Sequence, residues 1–245
     1  MTPANRNAAT ETSQVSAPIN AASWGEAADV AYHKILDLLL HGETPTGGRL
    51  RENHLAELTG VSRTPVRQAL NRLAAEGVVS LTRNRGAQVI ELSGEDARGL
   101  LDLRARFEPH ATRLAVAKMS PEHLQELEAL AAEMEELVES PSWQPVALSR
   151  LNNKFHAVLI DNCGNRHLQM ALQSVVMPAM VARTFDRYTP EALVRSMRHH
   201  TEIIEAARAR DGEWAESVMR THILAARHAF PSASTDGLSE ASSTG

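Results

Sequence analysis

Two groups of side chains in this sequence have types and spacings that could do chemistry. The first lies between residues 62 and 86, where five arginines (Arg63, Arg67, Arg72, Arg83, Arg85) meet a single acid, Glu76, for a local charge of +4 in a chain of formal net charge −5. The arginine fork can donate two hydrogen bonds at once to phosphate oxygens or to the O6/N7 edge of guanine, so such a segment is where a nucleic acid could be held. The second group is Asn152 and His156, four residues apart, with His200 and His222 further along. Three imidazoles and one amide oxygen form a donor set for a divalent first-row ion, with zinc or nickel the natural choices.

The elements that must position the first group can be read from apolar spacing. Ala27, Val30, Ala31, Ile35, Leu38 and Leu39 recur at helical intervals and predict a helix that fails near Gly42 and Pro45. A short helix begins near Glu52, with Leu55, Ala56 and Leu58 as its buried face, and stops at Thr59-Gly60. Ser62 is placed to cap a third helix, Pro65 falls in its first turn, and Val66, Leu70 and Leu73 form its apolar stripe until Gly77 ends it. Val78 to Leu81 and Gln88 to Leu92 read as strands around the turn signal Asn84-Arg85-Gly86. Helix, helix, tight turn, helix and hairpin is the order of a winged helix-turn-helix. Burying Val66, Leu70 and Leu73 turns Arg63, Thr64, Arg67 and Asn71 outward on one face. That face fits a major groove, with Ser62 and Thr64 at the helix start available to phosphate. Arg83, Arg85 and Gly86 would form the wing, the glycine allowing close approach of backbone to DNA. The plainer alternative is a solvated arginine face on a packing helix.

From Ser93 onward the chain reads as an antiparallel all-α bundle of about six helices, punctuated at Ser120-Pro121, Pro141 to Pro145, Gly164-Asn165, Thr189-Pro190 and Asp211-Gly212. Its apolar stripes include Leu100, Leu101, Leu103 and Phe107; Leu124, Leu127, Leu130 and Met134; Leu148, Leu151, Phe155 and Leu159; and Ile203, Ile204 and Ala207. Asn152 and His156 share one helix face beside Phe155, and His200 and His222 come from two later helices. Helix bundles build metal sites in this way. With 11 histidines in the chain, spacing alone leaves a chance cluster of buried polar residues open. A metal-dependent hydrolase using the same histidines is a further alternative, though no His-Glu-x-x-His motif supports it.

Residues Leu50 to Val89 resemble the DNA-binding domain of the GntR superfamily of bacterial regulators. The matching text is Arg49-Leu50-Arg51-Glu52, Leu55-Ala56-Glu57, the run Gly60-Val61-Ser62-Arg63-Thr64-Pro65-Val66-Arg67-Gln68-Ala69-Leu70, Arg72-Leu73, Glu76-Gly77 and Asn84-Arg85-Gly86-Ala87. Thr44-Pro45-Thr46-Gly47-Gly48 departs from the compact Pro-Gly turn usual in the family. The resemblance places Arg51, Ser62, Arg63, Thr64, Arg67, Arg85 and Gly86 at DNA-contact positions. The following segment is similar to the FCD effector-binding domain of the FadR subfamily, through Leu103-Arg104 with Glu108, Asn152-x-x-Phe155-His156, Gly164-Asn165, His200 with Ile203-Ile204-Glu205-Ala206, Asp211, and Met219-Arg220-x-His222. A count of six helices points to its VanR-like branch. Metal-binding members hold the ion with an aspartate and three histidines, which fall here on Asn152, His156, His200 and His222. Asn152 replaces the aspartate and removes one negative charge, which weakens metal retention and favours an anionic effector. Arg104 matches a position that meets a carboxylate effector in relatives. The resemblance implies a homodimer on a palindromic double-stranded DNA operator, regulated by a small organic acid, and commonly a repressor.

Bulk properties agree with this organisation. The 245 residues are 43% hydrophobic and 22% charged, which excludes wholesale disorder and allows two cores. One cysteine, Cys163, excludes an intrachain disulfide. No apolar run approaches the roughly 18 residues of a membrane span, and residues 1–20 lack the apolar core of a secretory signal, so the expectation is a cytoplasmic protein with no membrane partner. The expected layout is a disordered tail over 1–22, a winged helix-turn-helix over 23–92, a helical effector-binding and dimerisation domain over 93–230, and a second disordered tail over 231–245.

Overall fold

A computed structural model describes residues 25–40, 48–82, 86–90 and 93–230. Residues 1–24, 41–47, 83–85, 91–92 and 231–245 lie outside the described residues, and with them the two expected tails, Arg83, Asn84 and Arg85 of the expected wing, and the end of the expected strand at Leu92. The N-terminal unit is built from α1 (Glu26–Leu40), β1 (Arg49–Leu50), α2 (Glu52–Thr59), α3 (Arg63–Ala75), β2 (Val79–Thr82) and β3 (Gly86–Val89). A winged helix-turn-helix is the result, as the order of apolar segments predicts. The sheet has three antiparallel strands in the order β1-β3-β2, with Leu50 opposite Ala87 and Leu81 opposite that same residue on the other side.

The buried faces differ in detail from the spacing-based expectation. On α1 the core face is Ala28, Ala31, Tyr32, Ile35 and Leu36, and Val30 is exposed. The helix is rotated because Tyr32 can be buried once its hydroxyl has a partner, and it donates to Glu76 at 2.6 Å. On α2, Leu55 and Thr59 are buried while Leu58 is exposed. The Thr59 hydroxyl tolerates this by donating to the carbonyl of Leu55 at 2.6 Å. Ser62 occupies the N-cap position of α3 with extended backbone but its side chain makes no capping bond.

The second unit is helical: α4 (Gly94–Val116), α5 (Pro121–Glu139), α6 (Pro145–Asp161), α7 (Arg166–Val175), α8 (Pro178–Asp186), α9 (Pro190–Arg208) and α10 (Gly212–Ala226), closed by a 3-10 turn at Arg227–Ala229. Ser93, Ser120, Asn165, Thr189 and Asp211 each accept a backbone N–H from the next turn through their side chains, which fixes five of the helix starts. The segment between Asn165 and Thr189 is split into α7 and α8 at Val176-Met177, because Pro178 opens a new first turn. α10 runs antiparallel to α4, as Arg113–Glu216, Arg220–Ala105 and Arg227–Asp102 contacts succeed one another along the pair. The bundle core gathers Leu101, Leu127, Met134, Leu148, Phe155, Leu159, Ile203 and Ile223 among others. Leu103 and Phe107, expected in a stripe on α4, are exposed instead.

The two units share packing. Val146 at the start of α6 and Ala179 and Ala182 on α8 belong to the same apolar cluster as Tyr32, Ile35, Leu70 and Leu73. Among the described residues no helix is long and apolar enough to cross a membrane.

Candidate functional site

The outer face of α3 is set by what its inner face buries. Val66, Leu70 and Leu73 are at most 1% exposed. Full burial of such side chains is worth about 1.5–3 kcal/mol each, which fixes the rotation of the helix. Arg63, Thr64, Arg67 and Asn71 then point outward, and the Arg63 and Arg67 side chains are 61% and 60% exposed. Arg51, Arg63, Arg67, Asn71, Thr82 and Gly86 line an open groove of about 940 Å³ between the helices and the hairpin.

Two acids, Glu52 and Glu57, line this groove, and Glu52 pairs with the arginines of α3. Glu52, in the first turn of α2, accepts from Nε of Arg67 at 3.0 Å with one oxygen and from Nη2 at 2.8 Å with the other. It also accepts from Nη2 of Arg63 at 3.3 Å. The bond from Arg67 holds its carboxyl below the usual carboxylate range. Sequence reasoning missed this residue, since its partners lie on another helix; its place directly after Arg51 was the available signal. Arg72, counted with the basic segment, faces inward: it lies over the Tyr32 ring at 3.8 Å and bonds Asp29 and Glu76 at 3.0 and 3.3 Å. Gly86 is in the left-handed region, φ +84°, and a Cβ there would overlap the Leu50 carbonyl oxygen. The close approach that requires glycine is therefore to β1 within the fold. Arg85 lies outside the described residues.

The second site is inside the bundle. His156 on α6, His200 on α9 and His222 on α10 bring one ring nitrogen each within 4.8 Å of one another. The ring centroids are 5.9 Å apart for His156 and His200, 5.3 Å for His156 and His222, and 4.7 Å for His200 and His222. All three are buried, as is Asn152 one turn before His156 on α6.

Their polar atoms are orphaned. Asn152 Oδ1, His156 Nε2, both ring nitrogens of His200 and Nδ1 of His222 are buried without a hydrogen-bond partner. Buried polar groups are normally paired, at a penalty of about 1–3 kcal/mol for each that is not. Burial pushes His200 and His222 well below the ordinary histidine range, so both are neutral and their lone pairs are free.

His156 is fixed from behind. Burial raises the Glu108 carboxyl, but Arg104 and then His156 outweigh it and hold it at about 2. The carboxylate is thus only an acceptor, and the 2.7 Å contact must be Nδ1–H of His156 donating to Glu108 Oε2. Nε2 is left as the ligand atom, the arrangement by which carboxylates orient metal-binding histidines. Arg104 is itself buried and donates to Glu108 through Nε and, at 3.3 Å, through Nη2. His199 was not foreseen as part of this cluster: its Nδ1 is also buried without a partner, and its ring is 5.7 Å from that of His222.

Residues 27–89 match the family described as bacterial regulatory proteins, gntR family, and residues 99–225, more than half the chain, match the FCD domain. The chain is 27% identical over 194 residues to the HTH-type transcriptional regulator YdhC of Bacillus subtilis, covering 79% of this chain and 84% of that one. It is 32% identical over 140 residues to the Nta operon transcriptional regulator of Aminobacter aminovorans, covering 57% and 65%. It is 25% identical over 199 residues to the transcriptional repressor GlaR of Escherichia coli, covering 79% and 90%. The solved structure of E. coli McbR/YncC shares the fold with a TM-score of 0.63 at 22% identity, covering 84% of this chain and 99% of that chain. The chain belongs to the gntR family of bacterial regulatory proteins, as a member with an FCD domain, and is a DNA-binding transcription regulator rather than an enzyme.

Proposed function

We propose that the chain acts in the cytoplasm as a homodimeric repressor whose grip on a palindromic operator is controlled by a small organic acid bound at a divalent metal in the FCD domain. Arg63 and Arg67 read base edges in the major groove, Ser62 and Thr64 meet phosphate at the helix start, Arg51 and Gly86 lie along the flanks, and Arg85 is a further DNA contact by its place in the sequence. Relatives named as repressors, GlaR among them, support the sign of regulation.

One observation carries the metal reading: three histidines from three helices converge with buried ring nitrogens that have no other partner, and one turn before His156 the Asn152 Oδ1 is buried without a partner as well. Asn152, His156, His200 and His222 are the ligands, and imidazole donors suit zinc or nickel. When bound, the ion supplies positive charge and open coordination positions. The charges of Glu108 and Arg104 offset one another, and the four ligands are neutral. The site therefore retains a +2 excess that a carboxylate effector would offset. Arg104 gives Nε and one N–H of Nη2 to Glu108, so its share in holding an effector falls to the Nη1–Nη2 end. The family match, over residues 99–225, is to the FCD domain and does not single out the VanR-like branch.

The route from this site to DNA is one rod. α6 carries Asn152 and His156 in its middle and places Val146, at its start, in the core of the DNA-binding unit. A shift of α6 on effector binding changes how the two winged helices are spaced, and only one spacing admits both recognition helices to successive major grooves.

Metal analysis of the purified chain, followed by thermal shift with a panel of small organic acids with and without zinc or nickel, tests the site. Close to one ion per chain, lost in His156→Ala and His200→Ala, with an acid-dependent rise in melting temperature only in the metal-loaded protein, is the expected result. No ion after supplementation overturns the metal centre and leaves Asn152 and the histidines as buried packing, the reading favoured by Asn152 standing where relatives have aspartate.

A further inference from the structure

Glu52 in the basic groove has a geometry that selects among the things Arg67 could do. A guanidinium offers two pairs of parallel donors, the Nε–Nη2 side and the Nη1–Nη2 end. Glu52 occupies the first pair with both of its oxygens. The end pair is left over, and it has the width of the O6/N7 edge of guanine. Arg67 remains 60% exposed while paired, whereas the Glu52 side chain is 21% exposed and sits at the first turn of α2, where the helix dipole favours a carboxylate. The acid is the fixed partner and the arginine the presented one.

We propose that Glu52 is a specificity-determining positioning residue: it clamps the Nε–Nη2 side of Arg67 so that the Nη1–Nη2 end is delivered to a guanine, and its second contact, to Arg63, sets the spacing of the two arginines. The inference rests on the reading that Arg67 contacts DNA. An unheld arginine samples many rotamers and surrenders that freedom on binding; a clamped one has already lost it, and loses it in the orientation that suits one base. The clamp therefore acts on discrimination more than on general attraction. Its acid subtracts from the positive charge that attracts any duplex, so sequence-independent binding gains nothing from it.

The test begins with the full chain and a randomised duplex library, from which wild-type protein selects a consensus. Arg67→Ala then identifies the base pair whose identity ceases to matter. Competition binding at fixed salt compares the selected duplex with its single-base variants at that pair, for wild type, Glu52→Gln and Glu52→Ala. Gln cannot accept two bonds side by side, so both variants are expected to lose about tenfold of the preference at that pair, with binding to an unrelated duplex unchanged or slightly tighter. Melting temperatures are expected to stay within a few degrees of wild type, as exposed ion pairs contribute little to stability. Retention of the preference at that pair, equal tightening on every duplex, or equal loss on every duplex overturns the inference. A wild-type chain that selects no consensus, or an Arg67→Ala chain with unaltered preferences, overturns the DNA-contact reading beneath it, and so the two failures are distinct.

Discussion

Glu76, which ends α3, accepts a hydrogen bond from the backbone N–H of Ala179 in the first turn of α8 at 3.2 Å. The same carboxylate accepts from the Tyr32 hydroxyl at 2.6 Å and from Nε of Arg72 at 3.3 Å. The C-terminal end of α3 is thus tied to α1 and to the FCD domain through one half-buried acid. α8 packs beside α6, so a displacement that begins at His156 has a second path to α3.

Glu76→Ala is expected to destabilise the chain by about 2–3 kcal/mol, because Tyr32 and Ala179 would each keep a buried donor without an acceptor. Glu76→Gln retains an acceptor and removes a buried charge, so it should cost less. The pH dependence has a defined sign. Burial holds the Glu76 carboxyl above its ordinary value of 4.5. The folded state therefore binds this proton more tightly than the unfolded state. That contribution to stability is complete below the ordinary value and is lost as pH rises through the folded one. Urea midpoints taken from about pH 4 to 7 should show wild type losing ground to Glu76→Gln as pH rises; a constant difference would refute the assignment.

What was legible in the sequence, and what was not, divides along the range of the interactions. The recognition helix was legible because Val66, Leu70 and Leu73 repeat at a local period, and its boundaries because Gly60 and Gly77 sit at left-handed positions. The five capped helix starts of the bundle were legible for the same reason. β1 was not, since two residues have no periodicity and exist as a strand only through pairing with β3. Nor was the turn of α1 that buries Tyr32, which depends on Glu76 more than 40 residues away. At the three-histidine cluster, Asn152 and His156 were one helix turn apart in the sequence, but the convergence of His156 with His200 and His222 depends on how α9 and α10 are rotated. The resemblance supplied that information where spacing could not. Glu52 needed the crossing of α2 over α3, which no local pattern encodes.

Glu108→Gln should separate the orientation of His156 from its identity as a ligand. Gln can accept from Nδ1–H through its amide oxygen, yet it is neutral and can instead present N–H to the ring, so the imidazole loses its enforced tautomer. Loss of such a partner typically costs 10–100-fold in metal affinity. Competition with a chromogenic chelator is the measurement, and zinc affinity equal to wild type would count against the role of Glu108. The charge balance changes as well: with Arg104 unpaired, an organic acid should bind the metal-loaded variant relatively more tightly.

Pro109 sits inside α4 and cannot donate to the carbonyl of Ala105, four residues earlier. Arg220 on α10 supplies the missing donor through Nη1 at 3.0 Å. The two residues are coupled as a defect and its repair, and a double-mutant cycle should show it. Arg220→Met alone is expected to cost about 1–2 kcal/mol. In a Pro109→Ala background the helix regains its own N–H, and the same change should cost well under half as much. Additive costs from chemical denaturation would mean that Arg220 contributes only through its exposed pair with Glu216.

Gly86→Ala distinguishes a glycine kept for DNA from one kept for the fold. If its role were only to let the wing approach a phosphate, alanine would weaken binding and leave stability alone. The structure gives a different reason: φ is +84°, and a Cβ would overlap the Leu50 carbonyl oxygen. A non-glycine residue forced into this region costs about 1–3 kcal/mol before any clash is counted. The clash falls on β1, whose Leu50 is 3% exposed and anchors the strand in the core. Arg51 and Glu52 follow directly in the chain, so a displaced β1 also moves the acid that holds Arg67. Gly86→Ala should therefore lower the melting temperature by several degrees and blunt base discrimination together. An unchanged melting temperature with selective loss of DNA affinity would return the glycine to the role its position in the wing first suggests.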